Sequence, residues 1–132
     1  MRYRDAPAAI DWLCKALGFE RRLVVPGEGR TIRHAQLTLG NGMIMVGTAR
    51  EDEFGKLIAV PNKGGRVTQS AYIVVEAVDA HYEQAVAAGA EIVTPIEDQE
   101  DRGLFYAVRD PEGHLWCFGS YDPWVEPESE TA

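Results

Sequence analysis

The stretch Arg-Asp-Pro-Glu-Gly-His-Leu-Trp at residues 109–116 contains the pattern that decides the fold. Asp, Pro, Glu and Gly follow one another at 110–113, and these are the residue types that a type I turn prefers. Runs rich in apolar and aromatic residues lie on both sides, at 104–109 and 114–119. The stretch therefore predicts a β-hairpin, and we expect its turn to centre on Pro111 and Glu112.

The same order of elements occurs twice along the chain. In each half a helix is predicted between an aspartate and a glycine, behind Asp5 in the first and behind Asp79 in the second. A strand at 70–76 precedes the second helix, whereas only residues 1–4 precede the first. Three strand-like runs follow each helix: 19–25, 31–39 and 43–48, then 91–96, 104–109 and 114–119. Corresponding landmarks lie 71 to 74 residues apart, which indicates a duplicated βαβββ unit.

Three motifs in this arrangement resemble the vicinal oxygen chelate superfamily of glyoxalases, bleomycin-resistance proteins, fosfomycin-resistance enzymes and ring-cleaving dioxygenases. They are Tyr-Arg-Asp-Ala-Pro-Ala-Ala-Ile at 3–10, Leu-Gly-Phe-Glu at 17–20 and the 109–116 stretch. The resemblance covers residues 3–121 and is closest to the metal-free, bleomycin-resistance-like branch. It implies an α+β fold in which two βαβββ units curl mixed sheets around a cleft, with helices on the outer face.

We expect one domain of this type over residues 1–121, with a first strand that is short or missing. It consists of unit one (1–48), a lid and linker (49–69) and unit two (70–121). Residues 122–132 are interpreted as an acidic tail.

Composition excludes several classes of function. The chain has 132 residues, 45% of them apolar, and a formal net charge of −8. This acidity argues against nucleic acid as a partner, and no apolar run approaches the roughly 20 residues that cross a bilayer. Because charged residues occur at the start, we expect no secretory leader, and two cysteines are too few for a disulfide scaffold. We therefore expect a cytoplasmic protein with neither nucleic acid nor a membrane as its partner.

The charge is distributed unevenly. Residues 1–50 contain eight bases and four acids, whereas residues 97–132 contain ten acids and two bases. Two acidic blocks, 97–101 and 122–130, account for the whole excess. Either block would serve solubility or attract a cationic ligand at the rim of the cleft, and the sequence leaves both readings open.

Strand geometry predicts which side chains face the cleft. In unit one, a two-residue turn at Asn41 and Gly42 places the apolar residues of both strands on one face, which suits the helix. In unit two, a turn at 111–112 places the bulky aromatic residues against the helix. Phe54 in the lid and Trp124 in the tail are expected either to stack on a ligand or only to close the ends of the units. The predicted ligand-binding residues are His34, Gln36, Thr38, Met43, Met45, Phe54, Ser70, Tyr72, Tyr106, Val108, Leu115, Cys117 and Trp124.

The resemblance also implies where a metal would bind. One ligand position falls at or before Met1, and the other three fall on Met45, Ser70 and Cys117. A thioether, a hydroxyl and a single thiol are poor ligands for the divalent ions of this superfamily. We therefore expect no metal, no other cofactor and no catalytic residue. Cys117 is interpreted as a wall residue because no neighbouring base in the sequence would activate it.

The three histidines receive separate interpretations. His34 is either a polar contact in the cleft or a partly exposed strand residue. We expect His81, in the first turn of the second helix, to face solvent, and His114 to stabilise the hairpin.

The sequence thus favours a metal-free protein that sequesters or carries a small organic ligand, cationic or aromatic and antibiotic-like, with a role in antibiotic resistance. The resemblance implies a homodimer with ligand grooves between the chains. Two alternatives stay open: a metal-dependent lyase, isomerase or dioxygenase, and a purely structural or regulatory relative.

Overall fold

The computed structural model describes residues 1–62 and 64–125 and confirms the predicted α+β fold. Unit one consists of β1 (Arg2–Tyr3), α1 (Ala6–Leu17), β2 (Glu20–Pro26), β3 (Ile32–Leu39) and β4 (Gly42–Thr48). Unit two consists of β5 (Ala71–Val74), α2 (Val78–Ala87), β6 (Glu91–Asp98), β7 (Leu104–Arg109) and β8 (Leu115–Gly119), with a single 3-10 turn at Glu100–Arg102. Within these described residues, no helix combines the length and apolar character needed to cross a bilayer.

The two sheets share one topology. Their strand orders are β1-β4-β3-β2 and β5-β8-β7-β6, and in each the first strand runs parallel to the last while the other pairs are antiparallel. Arg22 in β2 and Val93 in β6 are each an extra residue opposite the neighbouring strand, which makes a β-bulge. These bulges lie 71 residues apart, so the duplication extends to local irregularities. The first strand is present but short, as expected.

The first helix is bounded as the sequence predicted. The carboxylate of Asp5 accepts a hydrogen bond from the Ala8 amide at 3.1 Å, and Gly18 ends the helix with a φ of +77°. The second helix begins two residues earlier than expected. Its N-cap is Ala77, and Asp79 lies in the first turn.

One apolar core serves both units. The helix-facing sides of both sheets and both helices contribute to it, and its largest fully buried side chains include Trp116, Tyr3, Tyr106 and Phe118. The opposite face of each sheet is open, because Met45 in unit one and Tyr72 in unit two are 53% and 40% exposed. Each sheet therefore has one buried face and one open face.

Asp110 joins the units from the interior. This carboxylate is 4% exposed and accepts four hydrogen bonds: from Tyr3 Oη at 2.5 Å, and from Trp116 Nε1 and the Glu112 and His114 amides at 3.0 Å each. Burial, reinforced by the negative charge of Asp110, raises the pKa of Tyr3 above its ordinary value, so Tyr3 stays a donor. The β7–β8 loop is thereby fixed to β1.

The same loop also supports the start of α1. The carboxylate of Glu112 accepts hydrogen bonds from the amides of Arg4 at 2.6 Å and Asp5 at 2.8 Å. His114 Nε2 donates to the Arg2 carbonyl at 2.9 Å. His114 was expected to stabilise its own hairpin, and here its side chain also bonds to the first strand of the other unit.

The expectation that His81 faces solvent is wrong. Its Nε2 donates to the Leu17 carbonyl at 2.7 Å, its Nδ1 accepts from the Tyr106 hydroxyl, and its ring packs on Phe118 at 4.4 Å. Burial lowers the pKa of His81, opposed in part by the hydrogen bond to Leu17. The residue lies in the first turn of α2, but that turn faces the end of α1 rather than water.

Replacing Asp110 tests the role of the buried carboxylate. We expect Asp110→Asn to lower the free energy of unfolding by roughly 2–4 kcal/mol, because an amide group turns one acceptor oxygen into a donor that faces other donors. Asp11→Asn removes an exposed ion pair with Arg21 and should cost about 1 kcal/mol or less. Urea denaturation measures both values, and equal losses in the two variants would contradict the assignment.

His81 should make the protein sensitive to mild acid. Since its pKa is lower in the folded chain, the unfolded chain binds this proton first as the pH falls through the ordinary value of 6.5. Stability is therefore lost below that pH, by up to about 1.4 kcal/mol per pH unit, the slope for one proton. His81→Gln should flatten this part of the pH profile. Urea denaturation between pH 5 and pH 8 gives the profiles.

Candidate functional site

The open face of unit one carries the residues that the sequence predicted. Leu39 pairs with Gly42, so the turn contains Gly40, which has a φ of +60°, and Asn41. This register differs from the predicted one by two residues, and a shift of two returns every side chain to the same face. The residues on the open face include His34, Gln36, Thr38, Met43 and Met45.

In unit two the predicted register is wrong by one residue. Arg109 pairs with Leu115, which leaves a longer loop in which Gly113 adopts a φ of +102°. Such a loop, a turn followed by a left-handed glycine, is one residue longer than the two-residue turn assumed from the sequence. A slip of one residue exchanges the two faces of a strand, and here it exchanges those of β7.

Tyr106 and Val108 therefore do not line the cleft. Both are fully buried on the helix side, where Tyr106 packs on Phe118 and bonds to His81. Their places on the open face are taken by Phe105 and Ala107, which the prediction had assigned to the helix. Leu115 and Cys117 remain on the open face, as does Tyr72, which pairs with Cys117.

An aromatic surface occupies one end of this face. The rings of Tyr72 and Phe105 are parallel to within 9°, with centroids 6.4 Å apart. Gly119 lies beside them, and a Cβ atom there would come within 2.5 Å of the Tyr72 hydroxyl. That hydroxyl donates to the Tyr121 carbonyl at 2.7 Å, and burial raises the pKa of Tyr72. The glycine thus leaves the space in which the tyrosine ring lies over the sheet.

The segment after β8 continues from this surface. The Arg102 guanidinium lies 5.6 Å from the centre of the Tyr121 ring. Trp124, predicted to stack on a ligand, is 92% exposed, so it has little contact with the rest of the chain. Residues 126–132 of the predicted acidic tail lie outside the described residues.

The two ends of the predicted lid make different contacts. Phe54 lies 5.7 Å from the guanidinium carbon of Arg2, which is on the open face of unit one because Arg2 pairs with Gly47. The far end contacts both units: Arg4 of unit one donates to the Pro61 carbonyl at 3.0 Å, and Arg109 of unit two donates to the Gly65 carbonyl at 3.4 Å.

Sequence reasoning missed Phe105 and Arg2. The correct loop length between β7 and β8 would have identified Phe105. The pairing of the short first strand with Gly47 would have identified Arg2.

The polar groups on the open faces are few. Gln36 Nε2 lies 3.2 Å from His34 Nε2 on unit one. On unit two the thiol of Cys117 lies 4.0 Å from the Ser70 hydroxyl, and burial raises the pKa of Cys117. A raised pKa keeps this cysteine as a thiol, which is neither a strong nucleophile nor a metal ligand.

The donor set does not fit the metal that this fold implies. Ser70 and Cys117 are neighbours on unit two, whereas Met45 lies on the other sheet. Over residues 1–62 and 64–125, no group of three or more His, Cys, Asp and Glu side chains is placed to hold an ion. A hydroxyl, a protonated thiol and a thioether do not make a site for Mn²⁺, Ni²⁺ or Zn²⁺.

Two pockets lie away from the predicted cleft residues. One of about 390 Å³ opens between the β2–β3 loop and the residues after β4, and Arg33 and Arg50 are among its walls. The other, of about 400 Å³, lies beside the β7–β8 loop, next to Arg4 and Arg109. Neither is lined by any of the thirteen residues predicted to bind the ligand.

Comparison with known proteins extends over most of the chain. The family model described as "Glyoxalase/Bleomycin resistance protein/Dioxygenase superfamily" matches residues 1–118. An uncharacterized protein of Mycobacterium bovis is 32% identical over 115 residues, which is 87% of this chain and 76% of that protein. TioX from Micromonospora sp. ML1 is similar in structure, with 38% identity, a TM-score of 0.73, and coverage of 92% of this chain and 94% of TioX.

More distant structures share the fold alone. The fosfomycin resistance protein FosX from Listeria monocytogenes, complexed with Mn(II), is 13% identical with a TM-score of 0.67. The alignment covers 93% of this chain and 89% of that one. A lactoylglutathione lyase from Agrobacterium tumefaciens is 18% identical with a TM-score of 0.62, over 90% and 87% of the two chains. The family match together with the shared topology leads to one conclusion: the chain belongs to the glyoxalase/bleomycin resistance protein/dioxygenase superfamily.

Proposed function

We propose that this protein binds a flat organic molecule, without a metal, in a groove between two copies of the chain. The observation that carries the proposal is the aromatic surface of Tyr72 and Phe105 beside Gly119. Parallel aromatic rings on an open sheet offer a large apolar contact to a planar ligand at little entropic cost. The protein would sequester or carry its ligand in the cytoplasm.

The chemistry of the site favours binding over catalysis. A metal-dependent lyase, isomerase or dioxygenase of this superfamily needs ligands with available lone pairs, and Met45, Ser70 and Cys117 do not provide such a set. The thiol of Cys117 is protonated, and no base contacts it among the described residues. Some structural neighbours are named fosfomycin resistance proteins, which supports an antibiotic-like compound as the ligand.

The open faces support a homodimer. Met43 on unit one and Tyr72 on unit two are both more than a third exposed, although both are large apolar residues. Residues 1–50 contain eight bases and four acids, whereas residues 70–125 contain two bases and eleven acids. In the proposed dimer, unit one of one copy lies opposite unit two of the other, so that charges of opposite sign face each other. A two-fold axis repeats this contact with the units exchanged. Two equivalent grooves result.

Enlarging Gly119 should weaken ligand binding. We expect Gly119→Ala to raise the Kd for a neutral planar probe, 2-naphthamide, at least fivefold, because the added methyl group displaces the Tyr72 ring. Gly42→Ala is the matched control, since a Cβ atom there has an ordinary contact at 3.5 Å and faces the helix side. Fluorescence titration with and without EDTA measures the Kd. Equal affinities in the two variants, or binding that EDTA abolishes, would contradict the proposal.

Dimerisation should depend on salt. Since exposed charges of opposite sign are screened by salt, we expect the dimer Kd to rise several-fold between 50 mM and 500 mM NaCl. Sedimentation velocity over a concentration series gives the Kd at each salt concentration. A monomer at all concentrations would refute the two-copy groove, and a dimer insensitive to salt would refute the electrostatic part of the argument.

A further inference from the structure

We infer that Arg2 and Phe54 form an anion-binding subsite on the open face of unit one, and that the ligand is a flat organic acid whose carboxylate pairs with Arg2. This inference rests on the proposed function, because it names the chemical class of the molecule bound in the groove. It adds a second, charged contact to the aromatic one.

The backbone directs Arg2 to the open face. Arg2 pairs in register with Gly47, two residues beyond Met45 on the same face of β4. A Cβ atom on Gly47 would come within 2.9 Å of Arg2 Nη1, so the guanidinium occupies space that this glycine leaves free. The position of the charge is therefore built into the sheet.

Phe54 is held over this guanidinium by a compact loop. The carboxylate of Asp52 accepts from the Gly55 amide at 2.7 Å, and the Asp52 carbonyl accepts from the Lys56 amide at 3.1 Å. A Cβ atom on Gly55 would lie 1.8 Å from the Arg50 carbonyl oxygen, so only glycine permits this turn. The loop leaves the Phe54 side chain 58% exposed beside the arginine, where it is free to contact a ligand.

The charge of Arg2 lacks a close carboxylate in the described part of the chain. None lies within 4.0 Å of its guanidinium there, and its side chain is only half-exposed. The pKa of Asp52 is lowered mainly by its hydrogen bonds from Arg50 Nε at 2.7 Å and from the Gly55 amide, with a smaller contribution from the charge of Arg2, so its oxygens are already used. A partly desolvated guanidinium with free N–H groups is the side chain best suited to bind a carboxylate with two hydrogen bonds.

Two acids on the open face of unit two, Glu97 and Glu91, do not reverse the preference for an anionic ligand. Glu97 shares the open face with Phe105, but it is exposed to water and accepts a hydrogen bond from Gln99 at 3.2 Å. Glu91, at the far end of that face, is paired with Arg109 at 3.3 Å. Solvated or paired carboxylates attract a cation weakly, whereas no carboxylate lies within 4.0 Å of the Arg2 guanidinium in the described part of the chain.

Three probes of one shape test the charge preference: 2-naphthoate, 2-naphthamide and 2-(aminomethyl)naphthalene, which is a cation at pH 7.5. By calorimetric titration, the full chain should bind the naphthoate about tenfold more tightly than the amide, and the cation no better than the amide. Arg2→Gln should abolish the tenfold difference, so that the naphthoate and the amide bind with the same affinity. Arg30→Gln, in an exposed pair with Asp5, is the matched control and should keep the tenfold ratio.

A second variant separates this inference from the proposed function. Tyr72→Ala should weaken all three probes by a similar factor, because it removes only the aromatic contact. Equal binding of naphthoate and amide by the unmodified chain, or tighter binding of the cation, would overturn the anion subsite and leave the binding function standing. If none of the three probes binds, both the function and the subsite are wrong. Phe54→Ala, in an exposed loop, provides a variant that should fold normally and should lose part of the naphthoate preference.

Discussion

The buried carboxylate of Asp110 is the contact on which the arrangement of the two units depends. It connects Tyr3, in the first strand of unit one and 107 residues away in sequence, to Trp116, in the last strand of unit two. A buried charge is tolerated only where hydrogen bonds satisfy it, and here four donors do so. Because this contact lies on the helix side of the sheets, it fixes both buried faces towards one core and leaves both open faces outward. The proposed ligand-binding surfaces lie on these open faces.

The length of one loop decided which part of the site the sequence could predict. In unit one the assumed turn was displaced by two residues, which preserved the face of every side chain. In unit two the extra residue ending at Gly113 displaced the register by one, which placed Tyr106 and Val108 in the core and Phe105 on the open face. Asp-Pro-Glu-Gly is compatible with both loop lengths, so residue preferences alone could not choose. The tertiary contacts of Asp110 and Glu112 fix the longer loop.

Local signals predicted the elements well, and long-range contacts were beyond them. The N-cap of α1 and the glycine after it are encoded by residues at the two ends of one helix. The order of strands is visible because the same local pattern occurs twice along the chain. The buried role of His81 depends instead on the carbonyl of Leu17, which is 64 residues away and on the other helix. Likewise, the position of Arg2 depends on its pairing with Gly47 in a strand of only two residues, too short to leave a pattern in the sequence. Contacts between duplicated units have no counterpart within one unit, and periodicity therefore cannot reveal them.

The duplicated fold places two different surfaces at equivalent positions. Unit two presents aromatic rings beside Gly119, while unit one presents a guanidinium beside Gly47, and the two glycines lie at or next to the ends of the equivalent strands β8 and β4. In both units, the absence of a side chain at that position makes room for a group from the neighbouring first strand. An aromatic surface binds the body of a planar molecule but does not orient it, whereas a fixed charge orients a molecule but contributes little apolar contact. In the proposed dimer, the aromatic surface of one copy would face the guanidinium of the other, so that assembly and specificity would have the same structural origin.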